Sequence, residues 1–209
     1  MQLYLKIYGF GLYHKYTVHN YGGITMQSVK AIKTTSAATK TIALSAMFAA
    51  LVTVTTAFLK IPTPVGGYVH PGDSMVYLAA SVLPGPFGII ASAVGGALAD
   101  LISGYPHWAI PTAIIKALNV LPFFLCRYAL KNNPRYRRII NLPNLLMIIP
   151  STIITVVGYL FANAFFKGFA VALTSLVPNL IQAIVAAVLF IALGLSLDAV
   201  QFKQKLFPQ

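Results

Sequence analysis

Long apolar runs separated by short turn-forming breaks organise this chain. Candidate helices lie at 41–59, 73–83, 86–103, 107–129, 143–166 and 172–197. The breaks are Pro62-Thr63-Pro64-Val65-Gly66-Gly67, Pro84-Gly85-Pro86, Gly104-Tyr105-Pro106, Asn132-Asn133-Pro134 and Lys167-Gly168. Proline removes a backbone donor and glycine tolerates almost any φ, so both interrupt helices. A free helix needs about 20 apolar residues to cross a bilayer. The run 73–83 is too short for that and is admissible only if protein surrounds it. The pattern predicts an all-α integral membrane protein, a bundle of six transmembrane helices.

Polar residues recur inside these runs at helical spacing. One row carries Gly88, Ser92, Gly96 and Asp100, and a second carries Trp108, Thr112 and Lys116, followed by Asn119. Ser151, Thr155, Tyr159 and Asn163 form a third, and Ser175, Asn179 and Gln182 a fourth. Polar groups at membrane depth turn towards protein, water or ligand. The rows together predict a polar pocket in the half of the bundle remote from the 127–142 loop. Each has a plainer reading too. Ser and Thr bond their own or a neighbouring backbone, the glycines allow close packing, and Trp108 can serve as an interfacial anchor.

Charge then fixes orientation. Fifteen Lys and Arg stand against three acidic residues, a net charge of +12, in a sequence that is 58% hydrophobic. Lys6, Lys15, Lys30, Lys33 and Lys40 precede the first run, Arg127, Lys131, Arg135, Arg137 and Arg138 fill one loop, and Lys203 and Lys205 close the chain. Lys60 and Lys167 fall on the other side. The positive-inside rule places both termini in the cytoplasm. The charge thus speaks for anionic lipid rather than nucleic acid. Residues 1–35 read as a cytoplasmic tail, with 1–25 a possible extension before Met26. Residues 36–200 read as one membrane domain and 201–209 as a second cytoplasmic tail.

Lys116 is the sharpest single signal, because a lysine deep in a span costs about 2.5–3.5 kcal/mol. Asp100 is the expected partner, either at a ligand site or as a packing ion pair. Asp73 reads as a start signal for the short second helix. His70 and His107 fall in outer loops, and two histidines do not specify a metal. The single cysteine, Cys126, offers no disulfide framework. Phosphate-binding loop, zincin and nucleophile-elbow motifs are absent from the sequence.

Three stretches carry a family resemblance: Gly67-Tyr68-Val69-His70-Pro71-Gly72-Asp73, Leu83-Pro84-Gly85-Pro86-Phe87-Gly88, and Gly95-Gly96-Ala97-Leu98-Ala99-Asp100-Leu101-Ile102-Ser103-Gly104-Tyr105. With Trp108-Ala109-Ile110-Pro111-Thr112, Lys116 and Pro178-Asn179-Leu180-Ile181-Gln182, the chain over about 36–200 resembles the substrate-binding S component of an energy-coupling factor (ECF) vitamin transporter. The His…Gly-Asp loop and the Asp-Leu-x-x-Gly-Tyr turn resemble the pyridoxine or hydroxymethylpyrimidine type. The resemblance implies a non-catalytic subunit without cofactor or metal in a prokaryotic plasma membrane. It implies capture of a vitamin from outside and docking on a transmembrane T component driven by two cytoplasmic ATPases. Ala43, Ala46 and Ala50 would pack on the T component, and a loop containing Gly66, Gly67, Tyr68 and His70 would gate the pocket. Toppling of the subunit in the membrane would move that pocket inward. The pocket itself would draw on Asp73, Asp100, Tyr105, His107, Trp108, Thr112, Lys116, Tyr159, Asn163, Asn179 and Gln182. A stand-alone proton- or sodium-coupled transporter is the alternative. A membrane enzyme acting on lipid head groups is a third class, disfavoured because Asp73 and Asp100 map outside.

Overall fold

The computed structural model describes residues 28–62, 68–130 and 133–207, with side chains from Ala38 onward except that of Tyr68. Helix α1 (Ser28–Ala57) leads through a small antiparallel clasp of β1 (Ile61–Pro62) and β2 (Tyr68–Val69) into α2 (Gly72–Val82). Helices α3 (Phe87–Ile102), α4 (Ala109–Ala129) and α5 (Leu142–Lys167) follow. A short α6 (Phe169–Thr174), α7 (Leu176–Ala199) and α8 (Phe202–Leu206) complete the described chain. The last expected run is therefore split, since a helical turn with its own cap at Gly168 precedes α7. The segment expected as a tail forms α8, and its Phe202, Leu206 and Phe207 pack on the core.

Local chemistry explains the boundaries. Leu83 is extended because Pro84 follows it, which stops α2. Gly85 (φ 54°) and Gly168 (φ 85°) take backbone conformations that side chains resist. Asn141 caps α5 by accepting the Asn144 N–H at 2.9 Å.

Among the described residues, four helical stretches are long and apolar enough to cross a membrane: Ala38–Ala57, Pro106–Ala129, Leu142–Lys167 and Phe169–Ala199. Helix α3 is apolar but shorter. Helix α2 has ten of its eleven residues buried, so its shortness carries no penalty: protein surrounds it. An exposed ridge of Ile110, Ile114, Leu118 and Leu125 runs down α4. Such a surface suits hydrocarbon and would be a liability in water.

Close helix contacts fix the bundle. A Cβ on Gly95 would lie 2.6 Å from the Ala49 carbonyl oxygen and 2.8 Å from Val52 Cβ, so glycine is what lets α1 meet α3. The Thr53 hydroxyl donates across that seam to the Gly95 carbonyl at 3.0 Å. Deeper in, Tyr77, Phe123 and Phe190 close the interior with ring centroids 5.6–6.3 Å apart. They lie between the polar half of the bundle and its basic end. At that end, Arg127 donates to the Leu83 carbonyl (2.9 Å) and Lys40 to the Leu206 carbonyl (2.6 Å).

Candidate functional site

The polar residues converge at the end of the bundle where α2, α4 and α7 begin. Lys116 and Asp73 are both completely buried and form an ion pair. This corrects the expectation that Asp100 is the partner of Lys116; Asp73 does stand in the first turn of α2, as a start signal does, without capping it. Residue 71 is the N-cap position of α2 and makes no side-chain cap bond. Asp73 instead points across the interior, where Gln182 Nε2 donates to its second oxygen at 2.8 Å. Gln182 Oε1 in turn accepts the His70 N–H at 3.3 Å. One knot thus joins α2, α4, α7 and the strap that enters α2.

The strap is built tightly. Gly72 N–H donates to His70 Nδ1 at 3.2 Å, and a Cβ on Gly72 would fall 2.0 Å from the Thr56 hydroxyl. Burial, reinforced by Lys116, holds the His70 imidazole far below its ordinary range, at about 3. Gly66 and Gly67, expected in the gate, lie outside the described residues, as does the Tyr68 side chain.

Lys116 reaches the knot because Gly96 leaves space: a Cβ there would sit 2.8 Å from Lys116 Cγ and 3.1 Å from Thr112 Cγ2. The ammonium lies 5.7 Å from the Tyr159 ring centroid, within cation–π range. The Tyr159 hydroxyl is 3.5 Å from Thr112 Oγ1. Asp100 sits against Thr112, and its Oδ2 is buried with no hydrogen-bond partner among the described residues. Asn179 Nδ2 is buried and unpartnered in the same sense. An acceptor and a donor at the site are therefore both unspent among the described residues.

Above the knot stands an aromatic wall. Trp108 lies 6.2 Å from Tyr159 and 5.2 Å from Phe166 between centroids, and His107 lies 5.5 Å from Phe166. Lys167 is 5.8 Å from the Trp108 ring centre. Tyr105 and His107 are exposed at the rim, with Tyr105 and His107 ring centroids 6.4 Å apart. Asn163 donates to the Tyr159 carbonyl at 2.9 Å and approaches Ser175 Oγ at 3.4 Å, so it braces α5 on α7.

The deeper members of two polar rows resolve differently from the pocket reading. Thr155 accepts from Asn119 Nδ2 at 2.8 Å, and Ser151 donates to the Asn119 carbonyl at 2.7 Å. They clamp α4 to α5 below the knot. Phe166, Thr56 and Tyr77 belong to the surroundings and carried no signal in the sequence beyond ordinary apolar or hydroxyl character. Ala43, Ala46 and Ala50 are exposed along α1, away from this site.

A family model described as "ECF-type riboflavin transporter, S component" matches residues 36–199. A protein of Pyrococcus woesei, described as "Uncharacterized protein in gap 3'region", is 36% identical over 145 residues. The match covers 68% of this chain and 91% of that protein.

Proposed function

The chain belongs to the ECF-type S component family, a vitamin-binding membrane subunit of ECF transporters, and on that premise we propose that it captures pyridoxine or hydroxymethylpyrimidine. The observation that carries this reading is the pairing of an aromatic wall with unspent polar atoms over a fixed ionic floor. A flat heteroaromatic ring can stack on Trp108 and Tyr159. Its hydroxymethyl or amino group would donate to Asp100 Oδ2, and a ring nitrogen or hydroxyl oxygen would accept from Asn179 Nδ2. Analogues lacking either group would leave a buried atom unpaired, which is how such sites discriminate. Lys116 and Asp73 neutralise one another and shape the floor.

The Tyr77–Phe123–Phe190 seal favours a subunit that hands over its cargo by moving as a whole. Delivery in this reading goes to a T component, with Ala43, Ala46 and Ala50 on α1 as the docking stripe, and ATP hydrolysis stays with two partner ATPases. The chain itself performs no catalysis. The termini lie on the cytoplasmic side and the site opens outward, in accord with the distribution of basic residues.

Titration of the purified chain in detergent with pyridoxine, hydroxymethylpyrimidine and riboflavin tests the substrate. Tight binding of a single pyridine or pyrimidine alcohol supports the reading. Selective binding of riboflavin, the vitamin in the family's description, overturns the substrate assignment but leaves the capture role intact. Uptake in a strain lacking the ATPases, at the rate of a strain that has them, would overturn delivery to an ECF module in favour of a stand-alone transporter.

A further inference from the structure

The basic end of the bundle contains an imbalance that vitamin capture does not use. Lys203, on α8, is only 5% exposed, yet its Nζ has no hydrogen-bond partner among the described residues. The charged groups bearing on it are Arg127 from α4 and Asp198 from the end of α7. Asp198 is already committed, accepting the N–H groups of Ile139 at 2.7 Å and Ile140 at 2.8 Å. Arg127 spends one nitrogen on the Leu83 carbonyl. Two basic side chains thus share a corner with one occupied carboxylate. Lys40, Arg135, Arg137, Arg138 and Lys205 add further positive charge at the same end, all exposed.

A buried ammonium with no partner is expensive and is retained only with compensation. Burial first, and Arg127 second, bring Lys203 down to about 7, so an anion placed here would restore its charge. The corner lies where the spanning helices end, and Phe202, Leu206 and Phe207 anchor α8 against the bundle. Basic pockets at that depth between membrane helices meet lipid phosphates, and the cytoplasmic leaflet is the anionic one.

We infer that Lys203 and Arg127 form a phosphate-binding site that takes the head group of an anionic phospholipid. Arg127 presents a planar fork to two phosphate oxygens and Lys203 a point charge to a third. The phosphate would bridge α4 to α8 and so tie α8 to the bundle.

The test uses the full chain in nanodiscs of phosphatidylcholine or phosphatidylglycerol, followed by thermal unfolding. Phosphatidylglycerol should raise the melting temperature of the parent by several degrees. Lys203→Met should lose most of that gain, whereas Lys205→Met, an equal charge change on an exposed neighbour, should keep it. Arg127→Gln reads the same loss should the first variant fail to fold. Equal losses in the Lys203 and Lys205 variants would reduce the effect to general surface charge and overturn the site. So would a parent indifferent to lipid charge and to phosphate. A parallel series in detergent with millimolar inorganic phosphate separates the sources. Protection there that Lys203→Met abolishes keeps the phosphate site but overturns the lipid as its required occupant. No protection there, with the lipid effect intact, assigns the site to the head group.

Discussion

Replacing Lys116 by methionine removes the charge while keeping the side chain's length. Asp73 Oδ1 then loses its ammonium partner, and the carboxylate retains the Gln182 amide on Oδ2. Both residues are fully buried, so water cannot compensate without rearrangement. Breaking such a pair costs about 3–5 kcal/mol. Protonation of the orphaned carboxylate sets a ceiling: neutralising an ordinary aspartate at pH 7 costs about 4 kcal/mol, and about 1.4 less for each pH unit below. The expected loss is therefore about 3–4 kcal/mol at pH 7, shrinking on acidification. For a chain of this size that is a fall of roughly 10 °C in melting temperature. Pairing Lys116→Met with Asp73→Asn leaves two neutral groups and no orphaned charge, so the double variant should recover about 2 kcal/mol or more over the single one. Unfolding in mixed detergent micelles, with a double-mutant cycle, measures both quantities. Additivity within about 0.5 kcal/mol would refute the claim that these residues stabilise each other.

Gly95→Ala should destabilise by about 1–3 kcal/mol, because the new methyl meets backbone on α1 rather than a flexible side chain; micelle unfolding against the parent checks it, and a neutral result would mean α1 can move off α3 freely. Asn179→Ala should weaken vitamin binding at least tenfold while leaving the melting temperature nearly unchanged, and unaltered affinity would remove Asn179 from the site. His70 contributes a pH dependence of defined sign. Its folded value, about 3, lies below its unfolded value near 6.5, so stability is full above about 6.5 and declines as pH falls towards 3. His70→Asn should flatten the unfolding profile over that range. Asp198→Ala strands the Ile139 and Ile140 N–H groups, costing about 1–3 kcal/mol, and hydrogen exchange at those two amides should quicken selectively.

Much of the helical layout was legible because membrane segments announce themselves twice, by length of apolar run and by the proline–glycine breaks between them. The boundary of α2 at Leu83 needed only the following proline. The start of the last long helix was less legible: Lys167-Gly168 marked a break, but not the helical turn of Phe169–Thr174 that follows it. The C-terminal segment, read only as a cytoplasmic tail with Lys203 and Lys205, also forms a helix, because Phe202, Leu206 and Phe207 offer an apolar face that the core accepts.

Lys116 shows where reading along the chain ends. Its depth in an apolar helix demanded a counter-charge, and that demand follows from the sequence alone because solvation cost depends only on depth. Which carboxylate answers it does not. Asp73 and Asp100 begin and end helices at the same end of the bundle, and helical period fixes the face of each residue on its own helix only. The choice rests on how α2, α3 and α4 are rotated about their axes and how closely they approach. That is set by contacts such as the Gly95–Ala49 seam and the space beside Gly96, which draw together residues far apart in sequence. Sequence determined the solvent, the helices and the need for a partner; tertiary packing selected Asp73 for the ion pair, and left Asp100 Oδ2 and Asn179 Nδ2 unspent among the described residues.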